Sequence, residues 1–447
     1  MSNQVKQQRE QWGSRIGFIL AAAGSAVGLG NIWKFPYVTG SNGGGAFVLV
    51  YVLMVVCIGF TVMLAEFIIG RRAQLNAVGS FARLKGGAWP LVGWLGLSCG
   101  FLILSYYGVV GGWTIKYIIG SFTDLMDVAA AGKAGDAFGG FISNSSMVIL
   151  YQAIFMFSVI WVVYRGVGEG IERYCKILMP ALFILLIVLI GRSVTLEGAG
   201  KGIDFYLRPD FSKITAGTFM AALGQAFFSL SLGMGCMITY GSYLRKDINL
   251  GAAAAQVCFL DTLVAFLAGL VIFPAVFAFG VEPGAGPGLT FITLPGIFAQ
   301  MAGGMMWSAS FFLLLFVAAL TSAISLLEVV CSYFIDKGWS RAKAAWTMGT
   351  LIFLLGIPSA ISLGGGLKVF GKDFLDAAGF MTDQIMMPVG AILISIFVGW
   401  VIKDSVKDEV TNGGMIPAFP GYSLWLILVK FVAPLSMLYI FVTGLKW

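Results

Sequence analysis

The chain has 447 residues, 59% of them hydrophobic and 11% charged, with a mean hydropathy of +0.91. Such a composition excludes a water-soluble domain and describes a protein that crosses the bilayer many times. With no histidine there is no histidine metal site or proton relay; the +7 net charge reads as topology before nucleic acid, and six scattered cysteines read as packing.

Apolar runs between charged or Gly/Pro-rich loops predict eleven spans, at 14–38, 44–70, 91–123, 147–164, 171–191, 217–241, 250–280, 301–335, 343–363, 374–402 and 421–445. A spanning helix needs about 20 apolar residues, so the longer runs tilt or extend into water. The first thirteen residues are polar, with no cleavable apolar segment ahead of the first span, and are expected to be retained. Alternate loops place 17 of the 28 lysines and arginines, Lys6 among them, on the side of the N-terminus. Eight, including Lys446, fall on the other side, and Lys34, Lys116 and Lys430 lie within spans. Positive loops mark the cytoplasm, which puts the N-terminus inside and, after an odd number of spans, Trp447 outside.

The middle of the first span, Gly24-Ser-Ala-Val-Gly-Leu-Gly-Asn31, is a poor helix, with three glycines and an asparagine in eight positions. Each glycine costs about 1 kcal/mol against alanine. Unwound backbone at membrane depth survives only where it is buried in protein or lines a cavity. Taken alone, the stretch fits either a break that faces a site or a glycine-rich packing face. The sixth span repeats the pattern at Phe228-Ser-Leu-Ser-Leu-Gly-Met-Gly-Cys-Met237. Two glycine-interrupted spans in matching places of two halves point to a transporter with inverted repeats. Among the loops, 124–145 is small and polar, and 192–216 carries both charge signs. Loop 281–300 holds Gly284-Ala-Gly-Pro-Gly288 before an apolar piece, Leu289 to Met301, suited to a short helix over an outer vestibule. Asn144-Ser145-Ser146 is a glycosylation triplet of a kind common by chance.

A carboxylate within the membrane is costly and marks a candidate site. Glu66, Asp261 and Glu328 qualify. For Glu66 and Glu328 the expected role is structural, accepting hydrogen bonds from backbone freed by the breaks. Asp261 lies deeper, with no basic neighbour in sequence. It fits a bound cation, with a neutral protonated acid as the alternative. Sodium is a hard cation that takes oxygen ligands. The first break offers carbonyls and Asn31, and the eighth span offers the adjacent hydroxyls of Thr321 and Ser322. Such hydroxyls also commonly bond their own backbone or a neighbouring helix. Tyr106 and Tyr107 in the third span are either inter-helix bonds or a hydroxyl that receives a carboxylate. A break also creates a helix N-terminus for an anion and a carbonyl end for a cation. It thus matches both ends of a zwitterion such as an α-amino acid.

Trp12-x-x-Arg15, Gly24 through Tyr37 and Asn42-Gly-Gly-Gly-Ala-Phe47 resemble the first helix and following loop of the neurotransmitter:sodium symporter family. Gln225 through Gly235 resembles its sixth helix, and the similarity runs over nearly the whole chain. The nearest pattern is that of bacterial eleven-span hydrophobic amino-acid symporters. The resemblance implies an all-α polytopic membrane protein with the leucine-transporter fold, a single transporter domain over 1–447. Its 5+5 inverted repeat comprises residues 14–191 and 217–402, with one extra helix at 421–445. It implies two sodium ions. The first is held by the Ala26 carbonyl, Asn31, Ser229, Asp261 and the substrate carboxylate. The second is held by carbonyls of Gly24, Val27 and Ala318 with the hydroxyls of Thr321 and Ser322.

By the same resemblance the substrate carboxylate meets Tyr107 and the amides of Leu29 and Gly30, and its ammonium meets carbonyls of Ala26, Phe228 and Ser231. Its side chain faces Ile103, Met234, Ser322, Ser325 and Leu326, with Ser25 and Ser229 also at the pocket and Phe228 as a lid. Monoamine-carrying relatives have an aspartate where this chain has Gly28, which fits a substrate that brings its own carboxylate. Animal relatives need chloride near the first sodium; Asp261 supplies that charge here, so chloride independence is expected. Gating residues are Arg9 with Asp336, beside Trp12, on the inner side. On the outer side Lys34 replaces the family's arginine, and Gly379 stands where its aspartate belongs. Asp376 or Asp383 is then the partner, or the gate rests on packing and water. Gly170 and Pro180 match the family's Gly-x9-Pro, where missing backbone bonds favour local unwinding toward the second sodium.

The expected function is sodium-coupled uptake of neutral hydrophobic or aromatic α-amino acids by alternating access. The expected location is a bacterial inner membrane, with the lipid bilayer and a small amino acid as partners, no nucleic acid and no required oligomer. Proton coupling and a non-transporting sensor are the alternatives. No nucleophile–base pair or cofactor motif indicates an enzyme.

Overall fold

The computed structural model describes residues 9–282, 288–369 and 371–445. The charges of Lys6 and Lys446, the Trp447 end and most of the 284–288 run therefore lie outside the described residues. The first membrane segment is a pair, α1 (Arg15–Ala26) and α2 (Gly30–Ser41), bent by 52° at the break. There follow α3 (Gly45–Ala73), α4 (Pro90–Ser121), α5 (Ser145–Tyr164) and α6 (Val167–Val194). The second half opens on another interrupted segment, α7 (Ala216–Ser229) and α8 (Cys236–Gly241). It continues with α9 (Leu250–Ala278), the short α10 (Leu289–Ala299), α11 (Gly304–Asp336), α12 (Arg341–Ser362) and α13 (Phe374–Val401). A small helix, α14 (Lys403–Val410), precedes α15 (Tyr422–Gly444).

Nine of these helices are long and apolar enough to cross a membrane, and the bent α1–α2 pair is a tenth among the described residues. Counting α7–α8 as one broken crossing gives the eleven read from the sequence. The polar loops hold more structure than their composition indicated, with short helices at Leu125–Ala130, Ala134–Ser143 and Ala199–Leu207. The glycosylation triplet also has a local role: Asn144 caps α5, accepting the Met147 N–H at 3.2 Å.

Local chemistry sets the breaks. Ser14 caps α1 by accepting the Gly17 N–H at 3.0 Å, and the helix ends where Val27 turns extended at ψ 113°. Between α7 and α8 the backbone turns left-handed at Ser231, Gly233 and Gly235. Gly233 is required twice over: its φ is +79°, and a Cβ there would stand 2.4 Å from the Met387 carbonyl oxygen. Both breaks lie against α11, whose apolar window is 89% buried, against 22% for α15. α11 is thus the central post, and α15 faces lipid.

Candidate functional site

The deepest charged group on α9 organises the first cluster. Asp261 is fully buried. Its Oδ1 accepts from Asn31 Nδ2 at 2.8 Å, and the Ser229 hydroxyl donates to its carboxylate at 2.9 and 3.0 Å. Tyr51 adds a hydroxyl at 3.3 Å from Oδ2. No lysine or arginine pairs with it among the described residues. A buried carboxylate with only neutral donors is electrostatically incomplete. Asn31 Oδ1 faces the Gly28 N–H at 3.0 Å, and the last carbonyls of α1, Ala26 included, have no partner further along the helix. This oxygen-rich set with a single carboxylate suits a hard monovalent cation. Nowhere among the described residues do three His, Cys, Asp or Glu side chains gather to hold a metal.

The second cluster joins α11 to the same break. Thr321 Oγ1 donates to the carbonyls of Val317 and Ala318, each at 3.1 Å. Ser322 Oγ donates to the carbonyls of Ser25 at 2.8 Å and Val27 at 3.3 Å. Gly24 packs against this pair; a Cβ on it would lie 3.2 Å from the Thr321 Cβ. Gly24, Val27, Ala318, Thr321 and Ser322 are therefore neighbours, and their polar groups are oxygens.

Between the clusters lies a small cavity bounded by Ala26, Gly28, Gly30, Ile103, Tyr107, Phe228, Ser231, Met234, Ser322 and Leu326. The Leu29 N–H donates to the Tyr107 hydroxyl at 3.1 Å. A Cβ on Gly28 would come within 2.5 Å of Ser322 Oγ and 2.8 Å of the Tyr107 hydroxyl, so any side chain there invades the cavity. Ser25, Leu29, Ser229 and Ser325 do not line it. Ser25 donates to Ser325 at 2.7 Å behind the wall, and the Ser25 carbonyl receives Ser231 at 2.8 Å. The two tyrosines of α4 separate: Tyr107 faces the cavity, and Tyr106 bonds Thr382 of α13 at 3.0 Å.

The other two membrane carboxylates differ from each other. Glu66 accepts the Gly233 N–H at 2.7 Å, a backbone group freed by the second break. Glu328 instead binds Arg341 at 2.8 and 3.1 Å and the Tyr243 hydroxyl at 2.5 Å, which corrects the backbone role expected for it.

On the face that carries the N-terminus, Arg9 reaches Asp336 at 2.5 Å and Ser242 at 2.7 Å. Trp12 Nε1 donates to the Tyr240 carbonyl at 3.0 Å. On the opposite face Lys34 pairs with Asp383 at 3.3 Å, and Lys34 also lies over the Phe228 ring at 4.2 Å. Of the two aspartates expected there, Asp383 is thus the partner; Asp376 is not, and stands beside Asp373 and Lys372. Near the N-terminus two carboxylates exchange places. Glu10 of the N-terminal segment accepts the Val167 N–H at the start of α6 at 2.7 Å, and Glu172 of α6 accepts the Gly13 N–H at 2.6 Å and the Ser14 hydroxyl at 2.9 Å. Gly170 lies in a wider π turn, Val167–Glu172, and Pro180 sits within the helix that follows, so α6 is wound through this region. Tyr51, Glu10, Arg341, Ser242 and Asn76, which donates twice to Asp336 at 2.7 Å, carried no signal of spacing or periodicity.

The sodium:neurotransmitter symporter family model matches residues 9–134 and 141–446. An uncharacterized sodium-dependent transporter of Bacillus subtilis (strain 168) is 43% identical over 442 residues, covering 98% of each chain. The sodium-dependent serotonin transporter of Drosophila melanogaster is 29% identical over 98% of this chain and 76% of its own. Among solved structures, MhsT in complex with L-phenylalanine is similar with a TM-score of 0.89 and 48% identity, over 98% of this chain and 100% of that one.

Proposed function

The chain belongs to the sodium:neurotransmitter symporter family, and from that premise we propose that it carries neutral hydrophobic or aromatic α-amino acids inward with two sodium ions, by alternating access and without chloride. The family and its structural neighbours are sodium-coupled transporters, not enzymes. The observation that carries the finer reading is Asp261, a buried carboxylate bonded only to Asn31, Ser229 and Tyr51 beside a cavity with no charged wall. One cation bound there balances Asp261; the substrate's carboxylate calls for more positive charge, which a second ion at Thr321 and Ser322 supplies.

The substrate carboxylate fits between the Leu29 amide and the Tyr107 hydroxyl, in space that Gly28 leaves open. Ile103, Met234 and Leu326 offer the side chain an apolar and adaptable wall. The L-phenylalanine bound by MhsT agrees in class. Arg9–Asp336 and Lys34–Asp383 act as alternating gates of two inverted repeats, residues 14–191 and 217–402, in a bacterial inner membrane with the N-terminus inside. Each positive charge moved inward across 100 mV yields about 2.3 kcal/mol, so two ions drive marked accumulation.

The test is uptake of labelled phenylalanine, leucine and tryptophan into proteoliposomes, with and without an inward sodium gradient and with chloride replaced by gluconate. Accumulation that needs sodium and ignores chloride is expected. In Asp261→Asn it should fail without chloride. Chloride-dependent uptake by the unaltered protein would remove that role, and accumulation under a proton gradient alone would remove the ion sites.

A further inference from the structure

Between α3, α7 and α15 a groove of about 550 Å³ opens onto the lipid-facing surface, where Leu53, Phe219 and Leu435 are exposed. Ten of its twelve lining residues are apolar; the other two, Ser436 and Tyr439, lie together toward the C-terminal end of α15. Along α15 it runs from Leu428 to Tyr439. At 1.5 Å per residue that is about 17 Å, close to the depth of one leaflet within a hydrocarbon core of about 30 Å. Tyrosine is a residue of the membrane–water interface, so the polar end of the groove matches the headgroup end of a lipid.

Two of the walls are shaped by wider turns. The π segments Val55–Gly59 of α3 and Leu428–Val432 of α15 supply Cys57, Ile58, Leu428 and Val432 to the lining. Such bulges displace side chains from the α-helical track and are frequent at functional sites. The third wall is α7, the helix that ends in Phe228 and Ser229. Met220 of α7 lines the groove and also the chamber that holds Lys34, Asp383, Phe228 and Gln225. A flexible thioether thus stands between the bilayer and that gate. A second copy of the chain would need about 800 Å² and 20–30 residues per partner, far more than this slot offers.

We propose that the groove is a binding site for one acyl chain of a phospholipid, and that the seated chain presses α7 toward the closed Lys34–Asp383 gate. The second half of this statement rests on the gating role proposed above. The test reconstitutes the full chain in phosphatidylethanolamine–phosphatidylglycerol vesicles doped with a phosphatidylcholine that carries a diazirine in one acyl chain. After irradiation, adducts are mapped by mass spectrometry. Adducts should be at least fivefold denser on 53–58, 219–223 and 428–439 than on the exposed Ile177, Ile184 and Ile187 face of α6. They should fall to that face's level in the double variant Leu53→Trp and Leu435→Trp. Leu435→Phe, at a position 63% exposed, repeats the test with less strain. Equal density on both faces, or cross-links between copies at these positions, would overturn the site. In the same vesicles the filled variants should release bound amino acid at least threefold faster; an unchanged rate would overturn the coupling to the gate. The adduct map needs no amino acid, so it stands or falls separately from the transport reading.

Discussion

On the N-terminal face Arg9 and Asp336 are 13% and 16% exposed and meet at 2.5 Å, with Ser242 and Asn76 filling their remaining valences. Beside them Arg341 holds Glu328, which has no exposure at all, and reaches Glu10 at 2.9 Å. On the opposite face, Lys34 and Asp383 above the cavity are 29% and 22% exposed and 3.3 Å apart, with Phe228 beneath the ammonium. Burial decides what each closure is worth. A desolvated guanidinium–carboxylate network is costly to break because each group left behind is an uncompensated charge. A lysine that water still reaches gives up little when it moves away. The molecule is therefore built to open more readily on the Lys34 face than on the N-terminal face.

The sharpest way to break this contrast is Arg341→Met, which leaves Glu328 buried with Tyr243 alone, at a cost of about 3–5 kcal/mol. The solubilised variant should melt many degrees lower, and adding Glu328→Gln should restore much of the loss. A single variant as stable as the parent would end the argument. Next comes Arg9→Ala. Asp336 keeps its two Asn76 donors, so the loss is nearer 2 kcal/mol. Amide exchange over residues 10–26 should speed up about 30-fold; unchanged exchange there would place the closure elsewhere. Lys34→Ala should cost about 0–1 kcal/mol and leave sodium-dependent amino-acid affinity within fivefold. A larger drop would mean that the exposed pair governs the cycle after all. The smallest effect is expected of Lys34→Arg, whose fork can take both oxygens of Asp383 and should slow release of bound amino acid by less than threefold. Faster release would show that the chamber cannot accommodate the fork.

The contrast also marks what could be read from the chain itself. Gly24 to Asn31 and Phe228 to Met237 announced their breaks because glycine and asparagine at membrane depth are unfavourable in a helix. Asp261, Thr321 and Ser322 stood out as oxygens among apolar neighbours. The gate aspartate was harder. Gly379 and Asp383 are four residues apart and so share a helix face, and the π turn at Met381–Met386 sets the phase between them. A wide turn leaves no mark in an apolar stretch, so Asp376 and Asp383 were indistinguishable. Arg341 was hidden for another reason. It counted among the loop charges that set topology, yet it folds back 13 residues to Glu328. Glu10 looked like part of a solvated tail, because its partner at Val167 is 157 residues away.

That last separation bears on how the protein is made. The start of α1 is tied down by Glu172, 159 residues further along, and Glu10 in return caps the start of α6. At about 5–20 residues per second of synthesis, roughly 8–30 s pass between the emergence of Gly13 and that of Glu172. For that interval the first half-helix is in the membrane without the carboxylate that anchors it. Its two glycines, Gly17 and Gly24, weaken its own helical preference. The N-terminal segment must therefore wait, unlatched, while three further crossings are inserted, and only the arrival of the fifth turns a loose end into a bolt.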